Sequence, residues 1–412
     1  MKVCWTWRLA SAALMGLALS GGTLLIGQEK AGADWPQYRG PNRDGISAEK
    51  GWSTNWGTDG PKVLWKKALG NGYSCFSVVG GKVYTMGSVG GKDVVYCLRA
   101  DTGEEVWKHT YPSQEDWGGY KGPHSTPTVD GNSVYVLSND GQLFCLDLAT
   151  GKVAWSKRME KDFGASPPQW GFACSPLVLD KMLILDVGPT IALDKATGDR
   201  IWKSPDFSPA YSSPIAFELG KERFIASFNG SGLTIFKADD GKEVGHQRWE
   251  TRYGVNAATP IVSDGKIFIS SGYGTGCALF QAGEGKLKQL WKNKSIANHC
   301  NSCVLWRGCV YGFNDNVGGA GKLVCLDFAT GQVKWRQDGL GTGSLMLADG
   351  KMIILSEGGE LVIAEASPEG FKQLARAQVL GETCWTVPVL SGGRIYCRNH
   401  AGNMVCLDVN GK

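Results

Sequence analysis

Neither sign of charge dominates this chain of 412 residues: 43 Lys and Arg stand against 39 Asp and Glu, a formal net charge of +4. A balance so close to neutral gives no electrostatic footing for nucleic acid, whose recognition needs a concentrated basic surface. No Ser/His/Asp order, no pair of carboxylates at a recognisable spacing and no phosphate-cradling glycine loop stands out, so no catalytic set is legible. Helical periodicity is missing as well. The only long apolar run is at the N-terminus.

That run reads as an export leader. Lys2 and Arg8 precede the apolar stretch Leu9 to Ile26, and Ala31-Gly32-Ala33 supplies a small-x-small cleavage pattern. Residues 1–33 are therefore expected to be a signal peptide, and the mature chain to begin at Asp34. Losing Lys2, Arg8, Lys30 and Glu29 removes three basic residues and one acidic residue, which takes the net charge from +4 to +2. No membrane span is expected after that removal, and the protein is expected to be periplasmic or extracellular.

What the chain has in abundance is glycine, 58 residues, and a recurring tryptophan. Trp65, Trp107, Trp155, Trp202, Trp249, Trp291 and Trp335 follow one another at 42, 48, 47, 47, 42 and 44 residues. A period of this length marks an array of identical supersecondary units. Between the tryptophans lie short alternating strands separated by Gly, Asp and Asn turns, four to a unit. The pattern predicts an all-β, eight-bladed β-propeller of four-stranded antiparallel blades over residues 61–412, with an N-terminal segment over 34–60. The eighth unit stops after its third strand. Pro61-Lys62-Val63-Leu64-Trp65 is expected to supply the fourth and close the ring.

Within the repeat, Cys145-Leu-Asp147-Leu-Ala-Thr150-Gly151-Lys-Val-Ala-Trp155 recurs at Ala192 to Trp202 and at Cys325 to Trp335. The indoles of Trp107, Trp155, Trp202 and Trp335 are expected to anchor neighbouring blades, with the Thr-Gly pair turning the chain. Arg99 departs from the pattern in the first unit, Trp249 is set far from Asp240-Gly241 in the fourth, and Leu374 takes the tryptophan's place in the seventh. Cys97, Cys145, Cys325 and Cys406 share one slot and read as small buried hydrophobes. A Cys397–Cys406 disulfide is open if the last hairpin turns at His400–Asn403.

This repeat resembles that of the quinoprotein-like propellers, a group holding pyrroloquinoline-quinone-dependent dehydrogenases and the non-enzymatic propeller of the outer-membrane β-barrel assembly machinery. The segment Asp34 to Ser47 looks like that of exported members of the group. For the enzymes, the resemblance implies adjacent cysteines over the quinone, calcium ligands and an aspartate base. No Cys-Cys dipeptide exists here. A fused cytochrome would need Cys-x-x-Cys-His, whereas Val304 follows Cys300-Asn-Ser-Cys303. The expected function is therefore a binding or protein-interaction scaffold, with no cofactor, acting as a monomer on an envelope protein or a small molecule. The alternative is a dehydrogenase that oxidises an alcohol or sugar with pyrroloquinoline quinone and calcium.

Aligning the inner strands by their Ser/Thr-Pro pairs selects one residue per blade, three before the proline position: Tyr73, His124, Ala173, Tyr211, Ala257, Cys300, Thr342 and Trp385. These should crowd one opening of the channel, with Trp117, Tyr120, Trp170, Phe172, Asn256 and His299 on loops above. The candidate ligand-binding residues are Tyr73, His124, Tyr211, Asn256, His299 and Trp385. No metal site is expected: His299, Cys300 and Cys303 read as structural, and Asn314-Asp315-Asn316 as a turn.

Overall fold

The computed structural model describes residue 1 and residues 34–57, 59–114, 116–283, 286–315 and 321–411. The chain divides into two compact units, residues 1–31 and 32–412. The leader expected over residues 1–33 lies outside the described residues apart from Met1, as does Asn316 of the loop triplet. Everything below concerns the second unit.

Eight four-stranded antiparallel sheets follow one another around a ring. Blade 1 is Ser77–Val79, Lys82–Val89, Lys92–Arg99 and Glu105–Pro112. Blades 2 to 7 repeat the meander, starting with inner strands at Thr128, Leu177, Ile215, Ile261, Val304 and Gly343. Blade 8 takes Val389–Ser391, Arg394–Arg398 and Asn403–Asp408 from the C-terminus and Lys62–Ala68 from the N-terminus. Trp65 lies opposite Cys406 in that last pairing. Closure leaves no open end to the array, which removes the exposed strand edges an open line would carry.

Burial follows position within the blade. Second and third strands are covered on both faces by neighbouring blades, so they read as near-continuous apolar runs such as Lys92–Arg99, KDVVYCLR. Fourth strands face solvent on one side and alternate, as in Val153–Arg158. The shared cysteine slot pairs with the tryptophan slot in each register: Cys97 with Trp107, Cys145 with Trp155, Cys325 with Trp335.

Each indole reaches into the next blade. Trp107 donates to the Leu148 carbonyl at 3.0 Å, Trp202 to Ala238 at 2.9 Å, and Trp335 to Ser367 at 2.8 Å. Trp155 donates to Lys195 at 3.2 Å. Trp107 lies over Gly151, the turn glycine of blade 2, where φ is +69°. A Cβ there would stand 2.5 Å from the indole, so the Thr-Gly turn needs glycine twice over, for backbone and for contact.

Two junctions break the rule. Register places Gly245, not Trp249, in the fourth blade's slot, and Ala375, not Leu374, in the seventh's. Trp249 follows the strand and donates instead to Ser271 Oγ at 3.1 Å. At the seventh junction the N-terminal segment substitutes: the Val409 carbonyl, the counterpart of Leu148 O, accepts the Ser53 N–H at 2.8 Å.

Cys397 and Cys406, whose pairing the sequence leaves open, do not meet. The last hairpin sets Cys397 opposite Val405 and Cys406 opposite Tyr396. A one-residue difference in register puts the two thiols on opposite faces, and all twelve cysteines among the described residues are free.

Residues 34–49 cross the base of the channel and bond in turn to blades 1, 2, 3, 4, 6, 7 and 8. Trp35 exchanges two backbone hydrogen bonds with Val78, and the Pro36 carbonyl accepts from Val129 N–H. The fully buried Arg43 guanidinium donates to Pro214 O at 3.0 Å, Ser175 O at 3.1 Å and Pro176 O. Arg39 Nη2 donates to Cys303 O at 2.7 Å. Ile46–Ser47 then joins the inner strand of blade 7 in parallel, and the Glu49 carboxylate accepts the Gly392 and Gly393 N–H groups.

Candidate functional site

The Ser/Thr-Pro pairs build the channel wall. Proline offers no N–H, and the hydroxyl beside it takes one from the preceding blade. Cys75 N–H donates to Thr126 Oγ1 (3.1 Å), Thr126 N–H to Ser175 Oγ (3.0 Å), Ser175 N–H to Ser213 Oγ (2.9 Å) and Thr259 N–H to Ser302 Oγ (3.0 Å). This ladder holds the inner strands in step. It also brings the residues three before the proline to a common level at the end opposite Arg43.

There the structure places Tyr73, His124, Tyr211, His299 and Trp385 in the wall of one cavity of about 150 Å³. Tyr120 and Trp170 join the wall, together with Ala173, Ala257 and Cys300 of the aligned ring. Asn256 and Thr342 do not join them. Asn256 is fully buried between loops: its amide donates to Asn229 O (2.8 Å) and Trp249 O (3.1 Å) and accepts from Ser271 Oγ (2.7 Å). Thr342 donates to Glu357 Oε2 at 2.8 Å, outside the cavity. Phe172 is buried in the contact between blades 2 and 3, and Trp117 sits on the hairpin formed with Tyr120–Lys121.

Two wall residues carry no signal in the aligned ring. Tyr273 lies in the Gly-rich turn Gly272–Gly276 of blade 5, and only its place after a second strand points to the mouth. Tyr38 comes from the N-terminal segment and underlies the cavity. No repeat argument reaches a residue outside the repeat.

The rings touch in a continuous belt. Tyr73 meets His124 edge-on with centroids 5.0 Å apart, Trp385 at 5.7 Å and Tyr120 at 6.2 Å. Trp170 links Tyr120 (6.1 Å) to Tyr211 (5.8 Å) and Tyr253 (6.1 Å), and Tyr273 joins Tyr253 (5.7 Å) to His299 (5.1 Å). Burial sets the protonation of the wall. It pushes the Tyr73 and Tyr211 phenols up to about 12. The same desolvation depresses His124 to about 4, so its imidazole is neutral at ordinary pH. His124 Nε2 has no hydrogen-bond partner within the protein.

Among the described residues, no Asp, Glu, Lys or Arg side chain lines this cavity. No group of three or more His, Cys, Asp or Glu among the described residues is arranged to hold a metal ion. Cys300 and Cys303 point apart: Cys300 Sγ lies 3.5 Å from His299 Nδ1, while Cys303 donates to Asn298 Oδ1 at 3.0 Å beneath Gly312. The calcium ligands and catalytic aspartate that the family resemblance implies for quinone enzymes have no counterpart in this wall, so the residues present do not fit that group.

Comparison with known proteins places this architecture. An assembly factor BamB from Yersinia pestis is 24% identical over 317 residues, 73% of this chain and 66% of that protein. An uncharacterized protein of Rickettsia conorii is 31% identical over 35% of this chain and 37% of its own length. The chain thus spans two thirds or less of these relatives. The crystal structure of BamB from Moraxella catarrhalis superposes with a TM-score of 0.61 at 16% identity, over 84% of this chain and 97% of that one. Quinohemoprotein alcohol dehydrogenase from Comamonas testosteroni gives 0.65 at 14% identity, over 92% of this chain and 81% of that one. Both likenesses establish the fold alone. The sequence model for outer membrane protein assembly factor BamB matches residues 91–337, more than half of the chain, and the protein belongs to that family.

Proposed function

We propose that this protein is an exported binding propeller of the cell envelope, with residues 1–33 as its leader, acting as a monomer without catalytic chemistry. Its ligand or protein partner would enter the aromatic mouth. The observation that carries the reading is the mouth itself: a belt of Tyr and Trp rings free of charged side chains among the described residues, over a floor that includes Tyr38. Such a wall binds by burial and ring contact. The relatives named as outer membrane protein assembly factors make the envelope the place to look for a partner. Envelope proteins captured by the wild-type protein should be lost with Tyr120→Ala and Trp385→Ala while the folding transition is retained. Capture indifferent to both substitutions would remove the mouth from the function.

The second reading is quinone-dependent oxidation of an alcohol or sugar, supported by the likeness of fold to alcohol dehydrogenases. A tricarboxylate quinone with calcium needs carboxylate and cationic partners, and the wall described above offers neither. Protein incubated with pyrroloquinoline quinone and calcium should show neither tight binding nor turnover of an artificial electron acceptor. Turnover would restore the enzyme reading.

A further inference from the structure

The mouth is neutral at its surface and acidic behind it. Glu357, at the end of the second strand of blade 7, accepts the Trp385 indole N–H at 2.7 Å on Oε1 and the Thr342 hydroxyl on Oε2. A carboxylate bonded to an indole N–H pushes electron density into the ring and deepens the negative potential over its face. Asp315, whose carboxyl burial raises to about 7, accepts the His299 backbone N–H at 2.8 Å, and Asp116 sits on the hairpin that carries Tyr120. These carboxylates reach the cavity electrostatically: Asp315 and Glu357 add to the burial that raises the Cys300 thiol, and Asp116 adds to that raising Tyr73. Fixed cations lie at the rim and under the floor: Arg252 stacks over Tyr253 at 4.8 Å, while the buried Arg43 and Arg398 donate to the carbonyls of Ser175 and Ser74. The belt already holds a guanidinium on its outermost ring.

Resting on the reading of the mouth as a binding site, we propose that its ligand is a soft organic cation, a quaternary or methylated ammonium group, held on the faces of Trp385, Tyr73 and Tyr120. Ring faces attract such a cation through their quadrupole, at no cost in stripping strongly held water, and the attraction grows where solvent is excluded. A compact, strongly hydrated cation would need direct oxygen ligands that the wall lacks. An anion would meet Glu357 and Asp116 at the level of the rings, whereas the arginines under the floor are spent on backbone carbonyls. The uncharged lining and the carboxylates behind it, puzzling for a neutral or anionic guest, fit this one.

The test titrates the full mature protein with choline and with its neutral isostere 3,3-dimethylbutan-1-ol, followed by tryptophan fluorescence and calorimetry. Choline should bind at least tenfold more tightly than the isostere. Glu357→Gln keeps an acceptor for the indole but removes the charge. It should weaken choline several-fold and leave both the isostere affinity and the melting temperature unchanged. Tyr120→Ala should weaken choline at least tenfold. Sedimentation with phosphatidylcholine vesicles separates the sources: choline-reversible co-sedimentation assigns a lipid headgroup, and its absence with free choline still bound assigns a small solute. Equal affinity for choline and isostere, or no choline binding at millimolar concentration, overturns the proposal. If N-acetyltyrosinamide then binds the mouth, or envelope-protein capture still depends on Tyr120, the binding-site reading survives without the cation. If neither does, both fall.

Discussion

The two ends of the channel are closed by opposite chemistries. At the base, Arg43 spends its whole guanidinium on the protein: Nε donates to Gln37 Oε1, Nη1 to Pro214 O, and Nη2 to Ser175 O and Pro176 O. At the mouth, His124 Nε2 has no partner within the protein and the rings line an open cavity, while of the two base arginines only Arg39 Nη1 is left unmatched. A buried polar group that is fully matched contributes stability and has nothing left for a ligand. One left unmatched costs stability and retains capacity to bind. The base is thus built to hold the ring and the mouth to recognise something. Substitutions at the two ends should separate these properties.

The largest effect is expected at the base. Arg43→Ala takes the guanidinium donor from the Pro214 and Ser175 carbonyls and from Gln37 Oε1, while Pro176 O keeps the Thr128 hydroxyl, and it opens a cavity under Tyr38. At about 1–3 kcal/mol for each orphaned buried acceptor, the loss should reach about 4 kcal/mol. Chemical denaturation of the mature protein measures it. A loss below about 1 kcal/mol would mean that the segment merely lies on the propeller. In that case the distinction between the two ends would vanish.

Asp186, buried behind the wall beside Cys174, gives a test by pH. Its backbone N–H donates to the Cys174 thiol, one residue from Ala173 of the mouth ring. Burial raises its carboxyl to about 7, against the opposing hydrogen bonds from Ser227 Oγ and the Phe228 N–H. An unfolded chain ionises this group near 4. Below that value its contribution to stability is complete. Between about 4 and 7 the folded protein retains a proton that the unfolded chain has lost, so stability falls as pH rises, by up to about 4 kcal/mol. Asp186→Asn should reduce the slope, leaving the part due to Asp315, whose carboxyl burial also raises to about 7, and stabilise the protein at neutral pH. An unchanged slope in denaturation midpoints across this window would place the titration elsewhere.

The junctions between blades divide in a similar way, and they show what was legible in the sequence. Trp107 on Gly151 could be read from the spacing because anchor and turn recur at fixed offsets. Gly151→Ala should cost about 3 kcal/mol, from the positive φ and from the indole it displaces. The same substitution at Gly80, also in a positive-φ turn but with nothing near its Cβ, should cost less, and equal losses would show that backbone strain alone sets the value. Ring closure and blade count were legible for the same reason as the anchor. The slots at Gly245 and Ala375 were not, because a missing side chain leaves no mark, and a nearby Trp249 or Leu374 invites a register off by one or more residues. The base was hidden altogether. Arg39 and Arg43 bond to carbonyls more than a hundred residues away, and nothing local in DWPQYRGPNRDGIS distinguishes them from surface arginines. At the mouth, the ring positions followed from the repeat, while Tyr38 and the burial of Asn256 depended on contacts that cross it.

The smallest change in stability should accompany the largest loss of recognition. Tyr120 stands on a two-residue hairpin strand, half-buried, with Tyr73, Trp170 and Trp385 around it. None of the blade junctions rests on it. Tyr120→Ala removes ring contacts worth about 0.5–1.5 kcal/mol each beyond area burial, but the side chain is partly solvated and the hairpin can relax, so the net loss should stay near 1 kcal/mol. Binding at the mouth, by contrast, loses one of the three faces over which a guest would lie. A melting temperature within a few degrees of wild type, together with abolished capture or titration, is the expected pair of readings. If instead Tyr120→Ala destabilises as much as Arg43→Ala, the belt is a structural cap like the base, and recognition must be sought on the outer strands of the ring.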